Sequence, residues 1–400
     1  MCAASPANLP KDSKLRFVSM SRRPTVLLLI PHLGGGGAEH ITSLLARGLS
    51  AQKYDVHLGL VTQNEPVNES LPPSVIVHNL GAHRVRTAVL ELLRLIRKLK
   101  PDLILSGMAH LNFLVLLLRP LFPRKTHVLV RQTNGTSAKF KSGHWPDGSG
   151  LLYRLLYPHA DLVLCQTRAM AEDLARQTGL GEAHLRILPN PVDVDAIHAH
   201  ESDRSTPFAG PGPHLLAVGR LAHEKGFDLL IRAFSSLRLR YPEADLTIVG
   251  EGSERAELES ISRALQLGAC VHLVGHVPHP EAYFPGATLF VLSSRHEGLP
   301  NALLEAASAG LPIAALPAEG GVADLLRSKP GVWLASEVSQ KGMAHALLLA
   351  LHALGPSDRF PHQWVDEFRM DRAIRRYESV IDEVLGDANV SRPSRLRSAQ

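Results

Sequence analysis

Short apolar runs alternate with segments of helical period along most of the chain. Val26–Ile30 predicts a buried strand, Gly34–Gly37 a turn, and Ala38–Leu49 an amphipathic helix. Val56–Val61 and Val75–Leu80 predict strands, and Arg84–Lys100 predicts a helix with leucines at helical spacing. Leu103–Ser106, Thr126–Arg131, Leu162–Gln166 and Leu185–Leu188 read as further strands, with helices over Asn112–Leu118 and up to about Gly179. This order predicts a parallel sheet with helices on both faces.

The polar segment 202–213, SDRSTPFAGPGP, has the composition of a linker. Beyond it the pattern restarts. Strands are expected at His214–Val218, Asp245–Val249, Val271–Leu273, Ala287–Leu292 and Pro312–Ala315. Helices are expected at Phe227–Tyr241, Ser253–Leu267, Pro300–Ala309 and Trp364–Leu385. The fold class is therefore α/β, with two halves. A chain of 400 residues also exceeds what one core usually supports. The expected division is a leader over 1–22, a first domain over 23–200, a second over 201–363, a last helix over 364–385 and a polar tail over 386–400.

Composition narrows the class. The three cysteines are scattered, which predicts neither a disulfide framework nor a metal-binding spacing and fits a reducing compartment. The start of the chain lacks a signal-peptide apolar run, and the longest apolar run, Leu111–Leu118, is too short to span a bilayer. The expected location is cytoplasmic. Charge is uneven: residues 1–200 hold 23 Lys+Arg against 14 Asp+Glu, and residues 201–400 hold 20 against 24. A basic first half suits an anionic partner, whether nucleic acid, an anionic membrane surface or a phosphorylated acceptor, or else is a solvated face; no nucleic-acid partner is expected once the motifs below are read.

Ligands of open parallel sheets bind beyond the carboxyl ends of the strands. That rule selects the loops 31–37, 219–226 and 293–300. In HEGLPNALLEAASAG, Glu297 and Glu305 lie eight positions apart in an apolar surrounding. Pro300 is expected as the first helical residue, with Gly310 just past the end. Free N–H groups of Gly298 to Asn301 would face an anion, and the carboxylates would take hydroxyl donors. Arg220 and Lys225, in VGRLAHEKG, suit a phosphate. Gly34–Gly37 allows close backbone approach but is neither a dinucleotide fingerprint nor a P-loop. Asp193-x-Asp195 has short acidic spacing but lies in a connector, so no metal site is expected.

VGRLAHEKGFDLL, LTIVGEGSERAELE, VHLVGHVPHPEAYFPGATLFVLSSRHEGLPNALLEAASAGLPI and the early GGGGAE resemble the retaining nucleotide-sugar glycosyltransferases of family 4, the group 1 glycosyltransferases. The resemblance covers about residues 24–380 and is densest in the second half. It implies the GT-B fold, two Rossmann-like domains facing across a cleft, with the last helix crossing back to the first domain. It implies that Glu297 lies at the donor sugar and that Glu305 binds the ribose hydroxyls. Arg220, which follows Gly219, and Lys225 match the pair that neutralises the diphosphate, and Gly219 is expected at the donor. Gly298, Leu299, Pro300 and Asn301 match the loop that meets sugar and phosphate. His276 and Val277 match the base-edge loop, and Gly36 and Gly37 match the glycines closing from the other domain. His110 resembles the active-site histidine, or else caps the helix expected at Asn112.

The resemblance implies a retaining transferase using a nucleotide-diphosphate sugar, with UDP expected before GDP, and neither a metal nor another cofactor is expected. A saccharide acceptor, lipid-linked by preference, is expected, with Arg131 helping to bind an anionic acceptor. The leucine-rich basic stretch 84–125 would touch a membrane, or else form core helices of the first domain. The alternatives are a transferase for a small sugar or sugar phosphate, and a sugar-nucleotide-binding protein without catalysis.

Overall fold

The first strand, Thr25–Ile30, is buried along its whole length. Its side chains divide by alternation: Leu27 and Leu29 enter one core, and Val26, Leu28 and Ile30 enter another. A strand buried on both faces is the mark of a parallel sheet covered by helices. The computed structural model describes residues 22–34, 36–62, 71–133, 149–200, 207–208, 210–355 and 357–386. The expected leader except residue 22, half of the expected linker and the tail beyond Gly386 lie outside the described residues.

Seven parallel strands build the first sheet: β1 (Thr25–Ile30), β2 (Asp55–Leu60), β3 (Ile76–Asn79), β4 (Leu103–Gly107), β5 (His127–Gln132), β6 (Leu162–Cys165) and β7 (Leu185–Ile187). Their order is β3-β2-β1-β4-β5-β6-β7. Six build the second: β8 (His214–Val218), β9 (Asp245–Val249), β10 (Val271–Gly275), β11 (Leu289–Leu292), β12 (Ile313–Ala315) and β13 (Val332–Leu334), in the order β10-β9-β8-β11-β12-β13. In each sheet the chain starts in the middle, moves outward, then returns to the other side of its first strand. The reversal leaves a crevice between β1 and β4, and another between β8 and β11. This is the two-sheet, Rossmann-like arrangement expected.

The chain crosses between the halves twice, and the two crossings are tied together. The Val192 N–H donates to Phe368 O (2.8 Å), and the Met370 N–H donates to Val192 O (2.9 Å). After the second crossing, the helix Met370–Gly386 lays Ile374, Tyr377, Ile381 and Val384 into the core formed by Val26 and Leu28.

Several boundaries differ from expectation, each for a local reason. Residues from Val192 onward pack with the second core, which includes Leu292 and Leu303, so the first domain's packing ends near Leu188. The expected helix over Trp364–Leu385 is two elements. A 3-10 segment, Gln363–Phe368, buries Val365 and Phe368 in the second core before the crossing helix begins. The connector holding Asp193 and Asp195 starts a helix, Val194–His200. Each of those carboxylates pairs with an arginine, Arg47 (3.0 Å) for Asp193 and Arg369 (3.1 Å) for Asp195. The helices Ser149–Leu156, Val322–Leu326 and Gln340–Ala353 were not foreseen. The last is capped by Ser339, whose Oγ accepts the Gly342 N–H at 2.9 Å, a signal its apolar sequence masked.

Candidate active site

All three loops selected by sequence lie at the crevices. Gly36 and Gly37 follow β1, and Gly37 opens the helix Gly37–Gly48. His110 follows β4, exposed in the first turn of Ala109–Leu118, so that helix starts three residues earlier than expected. The residue before this helix, Met108, holds φ 74°, which side-chain-bearing residues rarely adopt. Across the cleft, the loop 219–226 follows β8 and the loop 293–300 follows β11.

The two second-domain loops are joined by charge. The Lys225 ammonium donates to Glu297 Oε1, and the Ser294 hydroxyl donates to the same oxygen (2.9 Å). Both partners are largely enclosed, with 22 % and 11 % of their side-chain surfaces exposed. Arg295 braces the loop from beneath through two 2.7 Å bonds to Asp228, which hold its guanidinium above its usual pKa. The helix Asn301–Ser308 then begins one residue later than expected. Pro300 is its N-cap, in an extended conformation, and its carbonyl accepts from Leu304 N–H (3.3 Å). Gly310, at φ 70°, ends it as expected.

Glu305 lies inside this helix, and burial pushes its carboxyl above the usual carboxylate range, with the His40 imidazole acting in the opposite direction. His40 Nε2, from the first domain, stands 3.7 Å from Glu305 Oε1. Gly37 also meets the second domain: its carbonyl accepts from Asn301 Nδ2 (3.1 Å). The structure therefore brings together Gly36, Gly37, Lys225, Glu297, Gly298, Leu299, Pro300, Asn301 and Glu305.

The sequence profile for "Glycosyl transferases group 1" matches residues 199–362, and that for "Glycosyltransferase Family 4" matches residues 35–196. The chain is a group 1 glycosyltransferase. An uncharacterised glycosyltransferase of Methanocaldococcus jannaschii is 27 % identical over 248 residues, 59 % of this chain and 60 % of that protein. A Campylobacter jejuni enzyme, N-acetylgalactosamine-N,N'-diacetylbacillosaminyl-diphospho-undecaprenol 4-alpha-N-acetylgalactosaminyltransferase, is 27 % identical over 309 residues, 74 % of this chain and 82 % of that one. The Anabaena protein HepE, solved in complex with UDP, superposes with a TM-score of 0.71 at 16 % identity, covering 90 % of this chain and 100 % of that chain. The fold is GT-B.

The other predicted residues take different partners. Arg220 is 68 % exposed and reaches Glu224 (2.7 Å) one turn on. Gly219 follows β8, donates to Val249 O (2.9 Å) and lies against the Lys225 side chain. His276 is exposed and Val277 half-buried beyond β10, at the edge of the second sheet. Arg131 lies deeper than the other predicted charged residues. It is 2 % exposed, so it does not face an acceptor in open solvent. The strand end was read correctly, but its side chain turns inward, and Nη2 donates to Asn190 Oδ1.

The expected anion site is also narrower. The Leu299 N–H is given to Gln166 Oε1 (3.1 Å), a first-domain side chain, and Pro300 has none to give. Gly298 packs closely there: a Cβ would stand 2.8 Å from that same Gln166 oxygen and 2.9 Å from Met170 Sδ, so a larger residue would displace those two side-chain ends. Thr167 reaches across as well, its hydroxyl donating to Gly320 O (3.0 Å). Sequence reading missed Gln166 and Thr167, although their place just after β6 obeys the strand-end rule that selected the other loops.

Proposed function

We propose that this glycosyltransferase is a retaining, metal-independent enzyme that moves a hexosyl or N-acetylhexosaminyl unit from a UDP-sugar to a lipid-linked saccharide. The observation carrying this reading is the Lys225–Glu297 pair in the second crevice, with the partly buried Glu305 eight residues beyond it. An ammonium has three donors, so Lys225 can hold Glu297 and still give a proton to a phosphate oxygen. With Arg220 at the crevice mouth, it supplies fixed positive charge to a departing diphosphate, the role a divalent cation would otherwise fill.

In the proposed reaction the acceptor hydroxyl oxygen bonds to the anomeric carbon as its bond to the β-phosphate oxygen breaks. The acceptor proton passes to that departing phosphate on the same face of the sugar. Glu297 orients the sugar and stabilises positive charge at the ring, and His110 faces it from the first domain. Glu305 accepts from the ribose hydroxyls. UDP is favoured by the likeness to HepE, and a lipid-linked acceptor by the likeness to the Campylobacter enzyme.

No helix among the described residues is long and apolar enough to cross a membrane. Most leucines of 84–125 are core, including Leu92, Leu93, Leu95, Leu111 and Leu116. Leu117 and Leu121 are exposed, and the unforeseen helix Ser149–Leu156 exposes Leu151, Leu152 and Leu155. We place peripheral contact with the cytoplasmic face of an anionic membrane there.

The first test is a calorimetric titration with UDP, GDP and ADP and their sugar conjugates, with chelator present. Tight binding of UDP in chelator supports the donor reading. Binding only after Mg²⁺ is restored rejects metal independence. No binding of any nucleotide rejects the donor site. The anomeric configuration of the product, read by NMR, decides retention, and turnover of a free sugar phosphate but not a lipid-linked saccharide would reject the acceptor reading.

A further inference from the structure

We infer that Gln166 and Asn190 are positioning residues that grip the Leu299 backbone from both sides and so set the donor loop from outside the second domain. The inference rests on the proposed function for its kinetic consequence only. Gln166 Oε1 accepts the Leu299 N–H (3.1 Å), and Asn190 Nδ2 donates to the Leu299 carbonyl (3.3 Å). Asn190 Nδ2 also donates to Asn301 Oδ1 (2.5 Å), and Asn301 Nδ2 donates to Gly37 O (3.1 Å). Asn190 itself is oriented, because Arg131 donates to its Oδ1.

The arrangement is directional. Both amide side chains are buried, at 5 % and 2 % exposure, so neither bond competes freely with water. Gln166 belongs to the first domain and Asn190 to the crossing segment, whereas Leu299 follows Glu297 and Gly298 in the loop after β11. The bonded N–H and carbonyl lie in the two peptide units flanking the Leu299 Cα, and holding both, two residues from Glu297, fixes the direction from which its carboxylate meets Lys225. Placement errors of about 1 Å can lower turnover by about 100-fold. The grip therefore makes the geometry of the donor loop depend on contact with the rest of the molecule. One nitrogen of the Arg131 guanidinium, Nη2, thereby aims Asn190.

Three variants of the full chain separate this role from packing. Gln166→Met keeps the volume and removes the acceptor. Gln166→Glu keeps an acceptor oxygen. Asn190→Asp still accepts from Arg131, and adds a counter-charge to it, but turns an acceptor toward Leu299 O in place of a donor. For Gln166→Met, exchange of the Leu299 amide with deuterium should accelerate, and kcat should fall on the order of 10- to 100-fold while UDP affinity holds. Gln166→Glu should recover most of that loss. Asn190→Asp should keep its melting temperature and lose kcat by a similar factor.

Wild-type exchange at Leu299 together with wild-type kcat in Gln166→Met overturns the inference. Undiminished kcat in folded Asn190→Asp overturns the Asn190 half. The exchange readout needs no substrate. If the wild-type chain turns over no nucleotide sugar, the functional reading fails, while the Leu299 amide still reports on the grip.

Discussion

Lys225 and Ser294 donate to the same oxygen of Glu297, so one carboxylate carries an ammonium and a hydroxyl at once. The pair spans the two loops of the second crevice, and each loop is held in place partly by the other. Lys225→Ala should lower kcat by about 100-fold or more, since it removes fixed charge from the leaving group. It should also destabilise the fold by about 1–2 kcal/mol, less than for a fully buried pair, because Glu297 keeps Ser294 and some solvent. Adding Glu297→Gln to it should restore most of that stability and none of the activity. Denaturant titrations of the single and double variants give the coupling. Strictly additive losses would mean that the pair is not a structural unit.

Glu305 and His40 meet from opposite domains, and burial raises the carboxyl's pKa. The sign follows from proton binding. Between the unfolded and the raised folded pKa the native state holds more protons, so stability falls as pH rises through that window. Glu305→Gln removes the penalty: the variant should melt higher than wild type at neutral pH, and the gain should vanish in acid. It should nonetheless bind UDP more weakly, by roughly 10-fold, having exchanged a charged acceptor for a neutral one. Melting scans across pH, paired with UDP titration, check both. Equal UDP affinity would remove the ribose role, and equal melting at all pH values would contradict the burial effect.

Much of this was legible in the sequence because parallel-sheet strands are nearly continuous apolar runs. Val26–Ile30 could be little else, and once strand ends were placed, so were Gly37, Lys225 and Glu297. What escaped were matters of side-chain direction and of the partner surface. Arg131 ends a strand, as expected, but nothing in LVRQ says that it bends toward Asn190. Gln166 reads as the end of a strand, and nothing local marks its bond to Leu299, which is 133 positions away. Pro300 was placed one position too far in, since a proline fits both N-cap and first helical residue until its ψ of 113° is known.

Arg220 gives a cleaner functional probe than Lys225, because its only ion pair among the described residues is with Glu224 and both side chains face solvent. An exposed i,i+4 pair contributes little, so Arg220→Ala should change stability by no more than about 0.5 kcal/mol. Its kcat should fall about 100-fold if the guanidinium swings onto the diphosphate. Arg220→Lys should recover only part of this, as it keeps the charge and loses the planar fork. Steady-state rates at saturating donor check the series, and normal turnover of the alanine variant would remove Arg220 from the phosphate site.

The exposed face of Ser149–Leu156 carries Leu151, Leu152, Leu155 and Arg154 on a helix anchored by buried Tyr153. Tyr153 packs edge-on against Phe113 (4.9 Å between centroids), which places this helix beside the one that exposes Leu117. Leucines with an arginine suit an interface where apolar groups enter lipid and the cation meets phosphate. Because these leucines already face solvent, Leu151→Gln with Leu155→Gln should leave the melting temperature nearly unchanged. Binding to vesicles with an anionic lipid fraction should fall about 10-fold, corresponding to about 1.4 kcal/mol, a modest part of the burial value of two leucines. Raising salt should weaken the remaining binding of wild type and variant alike, by screening the basic groups. Co-sedimentation with anionic and neutral vesicles at two salt concentrations reads all of this. Equal partitioning of variant and wild type would place any membrane contact elsewhere on the molecule.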